Sequence, residues 1–362
     1  MKRLSLLLTI CACLSLFAGN PDRTGQAGAY ELLINPYAKS AGLHSLNTAA
    51  ASGVEAMRLN IAGLGRLENS ELVFTNSQWF AGSGIQVNNL GFGTKVGDSA
   101  VFGIEVFTFD FGTIDYTTYE NPEGNIGTYR PMFMNIGISY AKQFSKEITA
   151  GITLRSINES IGNVSASGLV IDAGVQYLTG KYDHFRFGAA LRNIGLPIKF
   201  DGDGLATKVT LGGNDFQQTL QQRANYFELP SLMHIGLAYD FINRNMAGSK
   251  GKGGWYENKD AFRLTAVANF QSNSFTNDEL GAGIEFSIRE KFTLRGAYRW
   301  SEQTVYLNNP ESTFGFSGPS AGMSIALPLE AGKMDKSLSL DYGYRHTNIY
   351  KGVHTAGITL KF

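Results

Sequence analysis

The sequence predicts an all-β fold: a transmembrane, antiparallel β-barrel of about 14 strands. Three observations carry this. Period-two alternation of apolar and polar residues recurs over about ten residues at a time, broken by Gly, Asn, Asp and Ser clusters. After the first nineteen residues no apolar stretch approaches the ~18 needed for a helical span. The composition also fits, with 43 glycines in 362 residues, 12% aromatic residues, and 17% charged residues against about 25% in soluble domains. Lys+Arg and Asp+Glu both total 31, so no basic footprint for nucleic acid exists. At 43% apolar residues, disorder is excluded.

The chain divides into three parts. Residues 1–19 read as a signal peptide: Lys2 and Arg3, an apolar run from Leu4 to Phe17, then Ala18-Gly19 for cleavage. Cys11 and Cys13 both lie inside it. The processed chain then has no cysteine, which excludes disulfides and thiol chemistry. Residues 20–69 form an N-terminal segment rich in small residues, and residues 70–362 form the barrel.

The barrel segments run 70–78, 83–95, 98–112, 131–143, 148–161, 168–179, 184–194, 228–241, 260–272, 278–288, 291–301, 319–329, 336–347 and 352–362. Most reach the ~9–11 residues that cross a bilayer at a tilt. The even number returns both ends to one side. Connections 113–130, 195–227 and 302–318 are long and fall on the outer side; most inner turns are short. The connection 242–259 breaks that rule and reads as a solvated, Gly/Lys-rich linker. Phase slips at Asn88-Asn89 and Ser156-Ile157 suggest β-bulges. Trp79, Phe80, Tyr140, Tyr177, Tyr182, Trp255, Tyr256, Trp300 and Tyr344 lie near strand ends, where aromatic girdles form. In the last segment Ala356, Ile358, Leu360 and Phe362 share one face. A terminal Phe on such a strand resembles the assembly signal of bacterial outer-membrane barrels, so the expected location is the outer membrane of a Gram-negative cell.

Chemistry is sparse. The five histidines show no metal spacing, and no nucleophile elbow occurs. The pairs Asp240 with His234 and Asp341 with His346 lack a third member, so no enzyme activity and no cofactor are expected. What stands out is a row of charges on the polar, inward phase: Arg155, Arg186, Arg192, Arg263, Arg295, Arg299 and Arg345, with Glu285 and Asp341 as partners. These read as a network bracing whatever fills the lumen, or as an anionic ligand site.

The run Arg58-Leu59-Asn60-Ile61-Ala62-Gly63-Leu64 follows a small-residue stretch and precedes the first strand. It resembles the PorV/PorQ family of Bacteroidetes outer-membrane proteins, within the wider FadL-like barrels. Ile61 stands where that family has proline. Ser77-Gln78-Trp79, the stretch 175–180, the stretch 188–195 and Leu229-Pro230-Ser231-Leu232 extend the likeness over nearly the whole mature chain. The resemblance implies that residues 30–66 plug the lumen, with Arg58, Asn60, Ala62, Gly63 and Leu64 as the plug motif. It implies a non-enzymatic accessory or shuttle role in type IX protein secretion, with secretion machinery or cargo C-terminal domains as partners. Candidate docking residues on the long loops are Tyr116, Tyr119, Tyr129, Phe200, Tyr306 and Phe314. The alternative it implies is a FadL-like transporter, with a fatty acid or detergent-like ligand.

Overall fold

The computed structural model describes residues 19–180, 183–210, 217–242, 262–301, 317–330, 333–347 and 351–362. Fourteen strands close into one antiparallel barrel in sequence order. They are β1 Ser70–Trp79, β2 Ile85–Val96, β3 Ala100–Asp110, β4 Met132–Gln143, β5 Ile148–Ile161, β6 Val164–Thr179 and β7 Phe185–Gly195. The second half comprises β8 Leu232–Ile242, β9 Phe262–Asn273, β10 Glu279–Ile288, β11 Phe292–Ser301, β12 Gly318–Glu330, β13 Lys333–Arg345 and β14 Val353–Lys361. Each corresponds to one of the fourteen alternating segments. Closure is made by β1 against β14, with Val73 opposite Thr359 and Ser77 opposite Thr355. Such closure leaves no strand edge unpaired, as a lipid environment demands.

The alternation sorts side chains cleanly. On the outer wall Phe74, Leu90, Ile104, Ile138, Leu154, Leu237, Ile284 and Ile358 are exposed to lipid. The inward positions, among them Thr75, Asn135, Thr153, Asn269 and Thr359, are buried and polar. No helix among the described residues is long and apolar enough to cross a membrane; the strands do the crossing. Phe362 is half-exposed on the lipid side, its backbone N–H bonded to the Ser70 carbonyl.

Two expectations are corrected. The register is continuous through Asn88-Asn89 and through Ser156-Ile157, so neither is a bulge. The irregularities fall instead between Ile171 and Ala173 of β6 and between Pro328 and Glu330 of β12. At the first, Asn193 of β7 takes φ 60° and donates its N–H to Asp172 Oδ1 at 2.7 Å. That extra residue turns both Arg192 and Asn193 into the lumen, where alternation would send one outward. Trp79 and Phe80 also leave the expected girdle. Trp79 faces inward and is 6% exposed, and Phe80 packs beside it. Tyr140 and Tyr177 do face lipid; Tyr182, Trp255, Tyr256 and the connection 242–259 lie outside the described residues.

Both ends of the barrel sequence, β1 and β14, meet at one rim, which we call the terminal rim. The connections 111–131 and 196–231 lie at the opposite, long-loop rim. Residues 19–67 fill the lumen from one rim to the other. Asn20 bonds Asn273, Arg23 pairs with Glu228, and Gly28 donates to the Glu228 carbonyl, all at the long-loop rim. A short helix α1, Ala38–Gly42, then packs on β11 to β14. Two 3-10 turns, Gly53–Arg58 and Ile61–Arg66, settle against the walls near the terminal rim. From Glu31 to Leu67 every residue is buried or half-buried.

Candidate functional site: the plugged lumen

The plug fits because the wall facing it is pared down to glycine. A Cβ on Gly343 would stand 2.4 Å from the Ala38 carbonyl oxygen, and one on Gly322 2.8 Å from the Gly42 Cα. Backbone therefore rests on backbone at β12 and β13, as only glycine permits. Within the plug, Asn60 caps the second 3-10 turn by accepting the Ala62 N–H at 3.2 Å. Its amide also donates to the Thr48 carbonyl at 3.1 Å and the Val175 carbonyl of β6 at 3.0 Å. Ile61 thus starts this turn without proline, because the Asn60 cap holds it. Gly63 lies so close to Ala51 that a Cβ would meet its carbonyl oxygen at 2.1 Å. Ala62 is buried, and Leu64 packs with Tyr37, Val54, Met57 and Val101.

Arg58 anchors the centre. It is fully buried, donates from Nε to Glu105 at 2.7 Å, and lies 4.3 Å from the Phe107 ring centroid. Tyr37 donates its hydroxyl to the other Glu105 oxygen at 2.8 Å. Arg155, also fully buried, bonds Asp172 at 2.5 Å and the Met57 carbonyl at 3.1 Å, with Glu105 3.8 Å away. Tyr37 and Arg58 of the plug and Glu105, Arg155 and Asp172 of the wall thereby share one carboxylate network. Burial pulls the Arg58 guanidinium below its ordinary pKa while Glu105 opposes that pull.

The remaining inward arginines follow the same logic. Arg186 pairs with Asp240, which also accepts from Thr265 at 2.6 Å. Arg263 and Arg295 share Glu285 at 3.1 and 2.7 Å. Arg299 pairs with Glu279 at 2.7 Å and donates to the His44 carbonyl at 2.6 Å. Arg192 donates to the Leu32 carbonyl at 3.0 Å. Asp341, expected beside an arginine, instead accepts from Ser339 and Thr359, with plug residue Lys39 at 3.8 Å. Among the described residues Arg345 makes no such pair, and it lies 5.4 Å from the Trp79 ring centroid.

Sequence reasoning missed Glu105, Asp172, Asp240 and Glu279 as arginine partners. Glu105 sits between inward Val101 and Phe107, so both faces of β3 read as apolar and its phase is invisible. Asp240 was readable only as a possible partner of His234. That pairing fails, since Asp240 is held by Arg186, and His234 approaches Asn269 at 3.4 Å. No group of three or more His, Cys, Asp or Glu able to hold a metal occurs among the described residues.

At the long-loop rim the lumen changes character. Ile34 of the plug, Trp79, Val87, Phe107, Phe109 and Val353 form an apolar cluster, joined by Ile85, Phe111 and Phe133. The rings meet edge-on: Trp79 with Phe109 at 5.9 Å, Phe109 with Phe111 at 4.6 Å, Phe111 with Phe133 at 4.9 Å. A second apolar cluster covers the β5–β6 side, where Ala29 and Leu32 meet Ile157, Val170, Ile198 and Leu229. Beside it Glu31 is buried, and burial, then the Glu159 carboxylate, raises its pKa to about 8.

The loop aromatics divide. Tyr116 and Tyr129 pair at 4.9 Å across the small hairpin Ile114–Asp115 with Thr128–Tyr129, and Phe200 packs on Phe227 at 5.6 Å. Tyr119 is fully exposed. Tyr306 and Phe314 lie outside the described residues. A hollow of about 690 Å³ lies on the lipid side of β8–β11, over Ala266, Ala268 and Ala282, and its lining is apolar apart from the Tyr239 hydroxyl.

No protein-family model and no curated protein matches the sequence. Solved structures do match. The Pseudomonas putida toluene transporter TodX aligns at 11% identity over 90% of this chain and 98% of that chain, with a TM-score of 0.52. A Pseudomonas aeruginosa FadL homologue aligns at 11% identity, with the same coverage and a TM-score of 0.50. The chain shares its fold with these two barrels, one a FadL homologue and the other a toluene transporter.

Proposed function

We propose that the chain is an outer-membrane barrel that takes up hydrophobic small molecules from outside the cell. The long-loop rim is then the outer one, residues 1–19 are a signal removed on export, 20–69 are the plug segment and 70–362 the barrel. The observation that carries the reading is the aromatic lining of the lumen at that rim. A mouth meant for water and ions is polar; this one packs Trp79, Phe109, Phe111 and Phe133 into its lining. Apolar walls of that kind bind ligands by area removed from water. The transport role of the fold's neighbours points the same way. Passage beyond the mouth is read as requiring the plug to shift, since every barrel strand is paired with both its neighbours. Outer-membrane lipid is the surrounding partner.

The test is binding of the neutral probe N-phenyl-1-naphthylamine to the purified, processed protein in lipid nanodiscs. Tight binding that falls at least tenfold in Trp79→Ala/Phe109→Ala supports the reading. A folded wild type that ignores the probe contradicts it.

A second reading rests on Tyr119, wholly exposed on the hairpin that the Tyr116–Tyr129 pair stiffens. Such an aromatic suits a protein partner. With the PorV/PorQ resemblance it supports an accessory role in type IX secretion. Retention of secretion components or cargo C-terminal domains in a pull-down from detergent-extracted outer membrane would favour it; recovery of the barrel alone would not.

A further inference from the structure

One contact between plug and wall joins two groups of the same charge. The 3-10 turn Tyr30–Leu33 carries Glu31 at 3% exposure. Glu159 of β5 is equally buried, and the two carboxyls stand within hydrogen-bond reach of each other. Two carboxylates cannot both stay ionised that close, so one keeps its proton. The packing around them is apolar, with Leu32 against Ile157, Ala166, Val170 and Leu229. The charged groups on the elements packed here are committed elsewhere. Arg58 donates Nε to Glu105, Arg155 pairs with Asp172, and Arg192 donates to the Leu32 carbonyl. Glu228, beside Leu229, is held by Arg23. Arg58 draws the Glu31 pKa down from the inner side, but less than burial and Glu159 push it up, to about 8.

The rest of the plug's outer end is lightly tied. Arg23 and Glu228 form an exposed pair, which contributes little. Asn20 and Gly28 each add one backbone bond to the wall side. Seating of residues 19–34 therefore leans on the Glu31 turn. Seated, Glu31 holds a proton; withdrawn into water, it releases that proton at the ordinary carboxyl pKa. Seating thus takes up one proton. The seated-to-withdrawn ratio is highest below about 4.5, falls about tenfold per pH unit up to about 8, and is constant above.

We propose that Glu31 and Glu159 form a proton-operated latch: their shared proton keeps residues 19–34 seated in the mouth, and its loss to solvent lets that segment withdraw. Once both carboxyls are ionised they repel across the seam between plug and wall. Withdrawal uncovers Ile157 and Val170 of the wall, while the inner plug stays fastened through Arg58 and Glu105. The device is a pH-sensitive gate on the plug, and it does not rest on which ligand the mouth takes.

The processed chain has no cysteine, so two spin labels can be placed uniquely. Gln26→Cys marks the plug and Asn163→Cys the β5–β6 turn, both at exposed positions. Their separation is read by double electron–electron resonance in phosphatidylcholine nanodiscs from pH 5 to 9. The expected result is one short distance at pH 5 and a second, longer one at higher pH. The ratio of long to short should rise at least tenfold between pH 5.5 and 7.5 and level off above about 8. Glu31→Gln keeps an amide that can donate to Glu159, so the short distance should persist at every pH. Glu159→Gln removes the repulsion and should end the rise at a lower pH. A wild type with the same distance distribution at pH 5 and pH 9 overturns the latch, and so does an undiminished rise in Glu31→Gln. If Glu31→Gln does not fold, Glu159→Gln decides: an unchanged pH profile there also overturns it.

Discussion

Two sides of the same lumen treat a buried arginine in opposite ways. On the Glu105 side, Arg58 and Arg155 are fully buried, yet each has a carboxylate: Glu105 for Arg58 and Asp172 for Arg155, with the Met57 carbonyl and the Tyr37 hydroxyl joining the network. On the Arg345 side the guanidinium is nearly as buried and nothing among the described residues answers it. The first arrangement braces the plug. The second leaves a cation that faces the Trp79 ring instead. Burial alone therefore does not tell the two sides apart; the presence of a carboxylate does.

The contrast yields its largest effect at Glu105. Glu105→Ala strands the buried Arg58 guanidinium, while Arg155 keeps Asp172, and breaking such a pair costs about 3–5 kcal/mol. Denaturant unfolding should show that loss, with the plug becoming protease-sensitive. Arg345→Met, by contrast, removes an uncompensated charge and should leave the unfolding midpoint unchanged or raised. Equal losses in both variants would erase the distinction between the two sides.

A smaller loss is expected where backbone meets backbone. Gly343→Val places a Cβ 2.4 Å from the Ala38 carbonyl oxygen and must displace α1 or the wall. Overpacking of this sort costs about 1–3 kcal/mol. The comparison sharpens if the variant also loosens the plug on the β12–β13 side alone, read by hydrogen exchange of Ala38–Gly42.

Smaller again is the pH response of Glu31. Its pKa rises to about 8 on folding, so the native state holds a proton that the unfolded chain has released. Stability contributed here is full below the ordinary carboxyl pKa and declines as pH rises from about 4.5 to about 8. Plug protection near Leu32 should fall across that window and become pH-independent in Glu31→Gln. The least effect on the barrel belongs to Tyr119→Ala: no change in stability or in probe binding, with loss confined to capture of any protein partner.

Much of this fold was legible in the sequence because lipid on one face and a polar lumen on the other impose a strict alternation. Segments such as Phe262 to Phe270 carry that pattern without interruption, and their strand boundaries fall within a few residues of those observed. The inward phase of the arginines was readable for the same reason. What could not be read was pairing across the barrel. Asp172 reaches Arg155 on the adjoining strand only at a given register, and on its other side the Arg192-Asn193 bulge shifts the β6–β7 register by one residue. Trp79 illustrates the other limit. An aromatic at a strand end has the same sequence signature whether it faces headgroups or lumen, and only the β1–β2 register, with Trp79 opposite Ile85, sends it inward. The uncompensated state of Arg345 was beyond sequence altogether, because it is a property of every neighbouring side chain at once.

The most direct test of the account is to lock the plug. A Cβ on Gly357 of β14 would stand 3.4 Å from the Ala38 Cβ, close to the ~3.5–4.5 Å spacing of a disulfide. Ala38→Cys with Gly357→Cys, in the processed chain, gives a bond that opens with reductant. Passage of a hydrophobic probe into liposomes should proceed when the pair is reduced and stop when it is oxidised, with binding at the mouth unchanged. Passage that continues at the same rate with the disulfide closed would show that the plug need not move, and would contradict the account.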